Sequence, residues 1–318
     1  MIVCVASSPS VDKLFEVERV EVGAIHRPLA FTQVPGGKGL NVARAAHLLG
    51  AEVHATGILA GHTGRWLEEA LAAEGVPGVF AWSDGETRAS LSVADRTDRG
   101  LTEFYERGTD IGPGGWERLE AVVIELLPGA AWVTLSGNLP VGAPDDGYAR
   151  LIEGARSTGV RVALDARDEA LARGVAARPD VVKVNAEEAA GLLGREVATM
   201  EDAGAAAREI RSRLEPEGAA IVTRGADGAM IATPEGSVLL GRLYARGSYP
   251  VGSGDAFLAG LVVGLERGGD WAAATCLALG AAAANAERAG AGRLDAVRAE
   301  QLAAGAEVLE ARASGLPT

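Results

Sequence analysis

The sequence is short of cysteine, aromatic side chains and long apolar runs. Only two cysteines occur, Cys4 and Cys276. That excludes a disulfide framework, and both read as free, buried thiols of a reducing compartment. Aromatics make up 4% of the chain, so the core has to come from small aliphatic residues, as in Ala-rich helices packed closely on a sheet. No uninterrupted apolar stretch reaches the about 18 residues that a membrane span needs. The opening run Met1–Pro9 has no basic region and too short an apolar segment for a signal peptide. His26, His47, His54 and His62 lack metal-ligand spacing. Basic residues are the minority: net charge is −13 and pI about 4.9, which argues against a nucleic-acid partner. The expectation is a cytoplasmic protein with no nucleic-acid or membrane partner. If its substrate is anionic, it must gather positive charge locally.

What is present is an ordinary globular composition, with 48% hydrophobic and 23% charged residues in 318. Residues 1–6 read as a buried strand broken by Ser7-Ser8-Pro9-Ser10. Residues 13–34 and 87–107 read as two strand-rich insertions that pair into one small sheet, the second with a turn over 95–100. Between them lie a helix ending at Gly50, a strand at 52–60, a helix at 64–75 and a strand at 78–82. From 113 onward strand and helix alternate: a helix to 127, strand 131–135, a helix from 144, strands 160–164 and 180–184, helices within 186–214, and strand 219–223. A meander over 227–243 precedes three helices, 254–267, 271–288 and 295–312, with Asp270 placed to cap the middle one. The alternation predicts a single α/β domain over 1–318 with a mostly parallel sheet, helices on both faces and a small sheet as a lid.

The stretch with the most chemical content is Tyr249–Gly260. Gly252, Ser253 and Gly254 form a turn that runs into an apolar helix, with Asp255 at the junction. The first N–H groups of a helix lack intrahelical partners, and glycines let them approach an anion. A carboxylate there repels a bound phosphate, but it is well placed to take a proton from an attacking hydroxyl. The alternative is a helix acid beside a plain turn. A second glycine-rich helix start, Gly36-Gly37-Lys38-Gly39-Leu40-Asn41, fails both the G-x-x-x-x-G-K-[ST] and the G-x-G-x-x-G spacing and leaves an anion site or an exposed lysine open.

In open α/β sheets ligands bind beyond the carboxyl ends of the strands. Those ends carry Asp12, Ser136-Gly137-Asn138, Asp165, Lys183 with Asn185 and Glu188, and Thr223-Arg224-Gly225. Asn185 with Glu188 is either a capping box or a carboxylate for a magnesium-bound water. Thr223 to Gly228 is either a hairpin turn or a floor for a nucleotide, and Arg88 is either a surface charge or an anion contact.

Together these motifs resemble the ribokinase-like, or PfkB, family of carbohydrate kinases across essentially the whole chain. Gly36–Arg44 and Pro250–Asp255 carry the resemblance. Pro9–Asp12, Gly85-Glu86-Thr87-Arg88 and Leu135–Pro140 point to its hexose-phosphate branch, the 1-phosphofructokinases and tagatose-6-phosphate kinases. The resemblance implies ATP- and Mg²⁺-dependent phosphoryl transfer to a sugar-phosphate hydroxyl, with Asp255 as general base and the backbone of Gly252, Ser253 and Gly254 as the anion hole. It implies Asp12, Gly37, Asn41 and Ser136 on the sugar, and Lys38, Arg88 and Arg27 on the sugar's own phosphate. On the nucleotide side it implies Lys183, Asn185, Glu188 (holding the metal through water), Thr223, Gly225, Gly228 and Asn285. It also implies a lid that pairs two subunits. The chain departs from the family pattern at Ala89 and at Asn138 to Val141, next to the acceptor.

Two other classes remain on the sequence alone. One keeps the fold with an unphosphorylated sugar or nucleoside as acceptor. The other is a non-catalytic ligand-binding relative, which has no use for Asp255 and Glu188. A dinucleotide-dependent oxidoreductase is disfavoured because no G-x-G-x-x-G follows the first strand.

Overall fold

The computed structural model describes residues 1–98, 100–245 and 247–311. Strand β1 (Ile2–Ala6) is buried along its whole length, with Ile2, Cys4 and Ala6 facing one core and Val3 and Val5 the other. An apolar run without polar alternation is what a strand covered on both faces requires. The chain then forms β2 (Ser10–Val17), β3 (Ala30–Gly36), α1 (Lys38–Leu48), β4 (Val53–Ala60), α2 (Gly61–Ala73) and β5 (Ala81–Ser83). Next come β6 (Ala89–Asp95), β7 (Leu101–Tyr105), α3 (Gly115–Leu126), β8 (Trp132–Ser136), α4 (Gly147–Ser157), β9 (Arg161–Asp165) and α5 (Asp168–Ala176). They are followed by β10 (Val181–Asn185), α6 (Ala186–Leu193), α7 (Met200–Arg211) and β11 (Ala219–Thr223). The last elements are β12 (Ala229–Ala232), β13 (Val238–Arg242), α8 (Ser253–Glu266), α9 (Trp271–Ala286), α10 (Ala296–Ala303) and β14 (Glu307–Glu310).

Ten strands form the main sheet in the order β14-β13-β12-β11-β10-β9-β8-β1-β4-β5. Pairing is parallel from β5 to β11 and antiparallel from β11 to β14. The chain winds outward in one direction from β1 to β4 and in the other from β8 to β9. The β1–β8 boundary is therefore the topological switch point, where such sheets open a crevice. α1, α2, α8 and α9 pack their apolar residues on one face; α3, α4, α5 and α7 cover the other. The four-stranded small sheet has the order β3-β2-β6-β7, and its two halves join through a parallel β2–β6 pair, Val11 opposite Ala89 through Val17 opposite Asp95.

Close backbone approaches fix how the helices sit. A Cβ on Gly39 would stand 2.4 Å from the Val5 carbonyl, so α1 lies directly on β1. Gly37, at φ 89°, turns the chain from β3 into α1 in a conformation that L residues rarely adopt. Buried Arg44 on α1 donates to the carbonyls of Pro35 at 3.0 Å and Ala291 at 2.7 Å, and pairs with Glu74 after α2.

The structure departs from the sequence reading in four places. The strand placed at 13–34 begins at Ser10, so Asp12 lies inside β2 and not in a loop after β1. Helix α5 fills the gap left between 160–164 and 180–184; it is short, and its Gly174 is used to seat the helix against Leu164. The last helix, expected over 295–312, stops at Ala303 before Gly305, and β14 then pairs with β13 through Leu309 and Leu240; residue 312 lies outside the described residues, as does Arg99 of the 95–100 turn. Cys4 is buried, and burial pushes its thiol up to about 12, but Cys276 on α9 is only half-buried. The cap expected of Asp270 is present: its carboxylate accepts from Ala273 N at 2.8 Å.

Candidate active site

Five elements converge on one cluster of charge at the carboxyl ends of the parallel strands. Asp165 ends β9 and is 0% exposed; Asp255 in the first turn of α8 is 6% exposed. Lys183 on β10 donates to Asp165 Oδ2 at 2.7 Å, and Lys38 at the start of α1 donates to Asp165 Oδ1 at 2.9 Å and to Glu188 Oε1 at 3.0 Å. Asn41, one turn along α1, donates through Nδ2 to Asp255 Oδ2 at 2.8 Å.

The electrostatics follow from burial. Burial raises the proton affinity of both carboxylates, but Lys183 and Lys38 hold Asp165 below the usual carboxylate range. Asp255 is pushed up to about 7, first by burial and then by the Asp165 charge; Lys38, Lys183 and the Asn41 hydrogen bond work the other way without overcoming it. Burial opposes the Lys38 charge, yet the carboxylates of Asp165, Glu188 and Asp255 hold its ammonium above the ordinary range.

The glycine turn is shaped by what packs on it. Gly252 precedes α8 in the left-handed region at φ 80°, and a Cβ there would come within 2.5 Å of Ala291 Cβ. At Gly254 a Cβ would stand 3.0 Å from Lys183 Nζ, so the lysine lies against the turn. Asn285 on α9 is fully buried beneath it and donates to Val251 O at 2.9 Å and Ser253 Oγ at 3.3 Å. Asn185 and Glu188 form a complete capping box on α6, while Glu188 also accepts from Lys38.

Thr223, Arg224 and the turn through Gly225 form the β11–β12 hairpin, with Thr223 Oγ1 donating to Val184 O. Gly228 is required by packing, since a Cβ would meet Gly241 O at 2.1 Å; Gly225 faces open space.

On the other side of the crevice Asp12 accepts from Ser10 Oγ at 2.6 Å, and burial holds its carboxyl above the usual range against Ser10 and the charge of Arg88. Arg88 donates to Ser8 O at 3.3 Å and Ser90 Oγ at 3.2 Å. Several buried polar atoms face no protein partner among the described residues: Asn41 Oδ1, Ser136 Oγ, Arg88 Nε and Asn285 Oδ1. Buried polar groups are rarely left unpaired, and the first three of these border the crevice.

The structure thus brings Asp255, Lys38, Asn41, Lys183, Glu188 and the glycine turn together. Lys38 bridges the carboxylates of Asp165 and Glu188 close to Asp255. Arg27 lies on the exposed connection between β2 and β3, with no hydrogen bond or ion pair to the cluster among the described residues. Sequence reasoning noted Asp165 only as a strand end and missed Ser7 and Tyr148. Their hydroxyls share a buried 2.8 Å contact, and Ser7 Oγ lies 3.0 Å from Asn138 O and Tyr148 Oη 3.2 Å from Gly137 O; one hydroxyl donates to the other, which donates on to its carbonyl, and this fixes the loop after β8. Position at a strand end was the one available signal for Asp165; Tyr148 offered none.

Residues 2–296 match the model of the pfkB family carbohydrate kinases. The 1-phosphofructokinase of Rhodobacter capsulatus is 33% identical over 285 residues, 88% of this chain and 90% of that enzyme. The crystal structure of phosphofructokinase-2 from Escherichia coli in complex with potassium superposes with a TM-score of 0.88 at 25% identity, over 95% of this chain and 98% of that one. A possible 1-phosphofructokinase from Thermotoga maritima gives a TM-score of 0.88 at 24% identity, over 98% and 100% of the two chains, a likeness of fold.

Proposed function

Because the chain belongs to the pfkB family of carbohydrate kinases, we propose that it transfers the γ-phosphoryl group of ATP to a hydroxyl of a hexose phosphate: fructose 1-phosphate, tagatose 6-phosphate or fructose 6-phosphate. The observation that carries this reading is the position of Asp255, buried at the start of α8 beside Lys38 and Lys183 with its proton affinity raised to about 7. Oδ2 is occupied by Asn41, and Oδ1 accepts the proton of the substrate hydroxyl. The hydroxyl oxygen bonds to the γ-phosphorus as the bond to the ADP oxygen breaks. Backbone N–H groups of Gly252 to Gly254 and the ammonium of Lys183 stabilise the charge on the phosphoryl oxygens, as fixed donors do best where water is excluded. Lys38 joins them on this reading, and Arg88 with Asp12, Gly37, Asn41 and Ser136 holds the acceptor. Gly225 and Thr223 lie under the nucleotide, and Asn285 braces the turn from below.

Each Glu188 oxygen is engaged once, by Lys38 and by the Asn185 amide, and a carboxylate keeps further lone pairs for a metal-bound water. The donor set therefore fits Mg²⁺, which Glu188 would hold through water. The ion neutralises phosphate charge when bound. Among the described residues no group of three or more acidic, histidine or cysteine side chains is arranged to hold a metal directly. The small sheet is proposed to cover the acceptor as a lid and to pair two subunits, and the enzyme to work in the cytoplasm. No helix among the described residues is long and apolar enough to cross a membrane.

A second reading, an unphosphorylated sugar or nucleoside as acceptor, is favoured by one fact: Lys38 is already engaged by two carboxylates, leaving Arg88 as the principal cation for an acceptor phosphate. ADP release measured with Mg-ATP against the three hexose phosphates, their free sugars and nucleosides separates the two. Turnover of one phosphosugar is expected, and Arg88→Ala should raise its KM about 10–100-fold while leaving the KM for ATP nearly unchanged, the loss of a charge-assisted contact. Turnover of unphosphorylated compounds alone overturns the hexose-phosphate assignment.

A further inference from the structure

Asp165 has no role in the reading above, yet it is the group that the charge cluster shares. Its two oxygens are divided between two ammonium groups, Oδ1 for Lys38 and Oδ2 for Lys183. Its backbone carbonyl accepts from Gly137 N at 2.8 Å and so ties down the loop after β8. The two lysines arrive from different directions, Lys38 from the first turn of α1 next to the acceptor residues and Lys183 from the strand before the Asn185 cap. A lysine carries its charge on a flexible four-carbon stem, and an unanchored ammonium in an open crevice samples many positions. Here both are pinned by one fully buried carboxylate. Of three donors each, Lys38 spends two and Lys183 one, and Lys183 Nζ rests against Gly254.

We propose that Asp165 is a positioning residue for the transfer step, fixing the spacing of the Lys38 and Lys183 ammonium groups so that both meet the phosphoryl group as it moves between donor and acceptor. The proposal rests on the kinase reading. It distinguishes Asp165 from a structural counter-ion, because its effect must pass through the two lysines. Preorganised charge is worth most where it does not have to reorganise during reaction.

The test is a mutant cycle on kcat: wild type, Asp165→Asn, the pair Lys38→Met with Lys183→Met, and the triple variant, each with its thermal unfolding curve. Asp165→Asn should lower kcat about 10²-fold or more, as loss of a preorganised donor does, with a much smaller change in KM. In the double-lysine background the same substitution should change kcat by no more than about twofold, the range of independent sites. An equal loss in both backgrounds, or near-normal kcat in Asp165→Asn, overturns the proposal. Asp165→Glu covers the case in which the amide variant does not fold: it keeps the charge but displaces it by one methylene. Lost kcat there supports positioning, and full activity overturns it. The cycle is read on whichever acceptor the wild-type enzyme turns over, so a wrong hexose-phosphate assignment shows in the wild type alone and a wrong role for Asp165 shows in the cycle.

Discussion

Asp255 and Asp165 share a pocket with Lys38, Lys183 and Asn41, and the two carboxylates do not divide the positive charge evenly. Both ammonium groups bond to Asp165, so the proton that the pocket retains goes to Asp255. Because kcat/KM reports groups of the free enzyme, it should fall with decreasing pH below about 7 as Asp255 takes up its proton. Asp255→Asn should lose about 10²–10⁴-fold in kcat, the range for a missing general base. The same substitution has a stability signature. Asp255 has its folded-state proton affinity raised from 3.8 to about 7, so ionising it costs folding free energy; stability is lost as pH rises across that window. Asp255→Asn should therefore melt above the wild type at pH 8, and the gap should narrow as pH falls toward 4. Equal melting temperatures at both pH values would remove the buried-charge account. The glycine pattern made Asp255 and Lys38 visible in the sequence. The Asp165 bridge was not visible, because its three members are distant in the chain and only the sheet order brings them together.

The helices that carry these residues are positioned by contacts too close for side chains. α8 and α9 touch at Gly260, where a Cβ would stand 2.8 Å from Ala278 Cα and from Leu277 O, and at Gly264, 2.7 Å from Ala274 Cα. In isolation Gly→Ala favours a helix by about 1 kcal/mol. Here the added methyl meets backbone that cannot retract, so Gly260→Ala should destabilise by roughly 1–3 kcal/mol as overpacking does. Urea unfolding checks the sign: a raised midpoint would mean that the helices can part. Phe257, Leu261 and Leu265, each four residues apart, made α8 legible from sequence, whereas α5 and β14 were not. α5 is short and uses its glycine for contact with Leu164, and β14 is a four-residue edge strand, with a glutamate at each end, whose partner, β13, lies far back in the chain.

Across the whole molecule the α/β architecture with a mostly parallel sheet was readable from the alternation of strands and helices, with two insertions read as one sheet, and its ribokinase-like character from the resemblance of the two glycine motifs. The parallel β2–β6 pairing that joins those insertions, and the switch between β1 and β8, depend on long-range contacts that no local pattern encodes. The small sheet leaves Phe31 on β3 and Phe104 on β7 exposed, with Leu29, Val22 and Ile25 nearby in sequence. Contiguous exposed apolar surface is the kind that subunit interfaces cover. On the proposed pairing of lids, light scattering should give twice the 32.5 kDa chain mass, and Phe104→Asp should return the single-chain mass. A single-chain mass for the wild type at micromolar concentration would exclude the pairing. Arg44 bears on how such a lid moves. Its guanidinium is planar and rigid and grips the carbonyl at the foot of the lid and the carbonyl under the glycine turn as one piece. On the proposed reading that corner acts as a strut, coupling any lifting of the small sheet to the glycine turn before α8. Any tilt is left to the opposite crossings, of which Gly85 has nothing within 4 Å of a Cβ position, whereas Gly108 packs against Ser8, Pro140 and Val141.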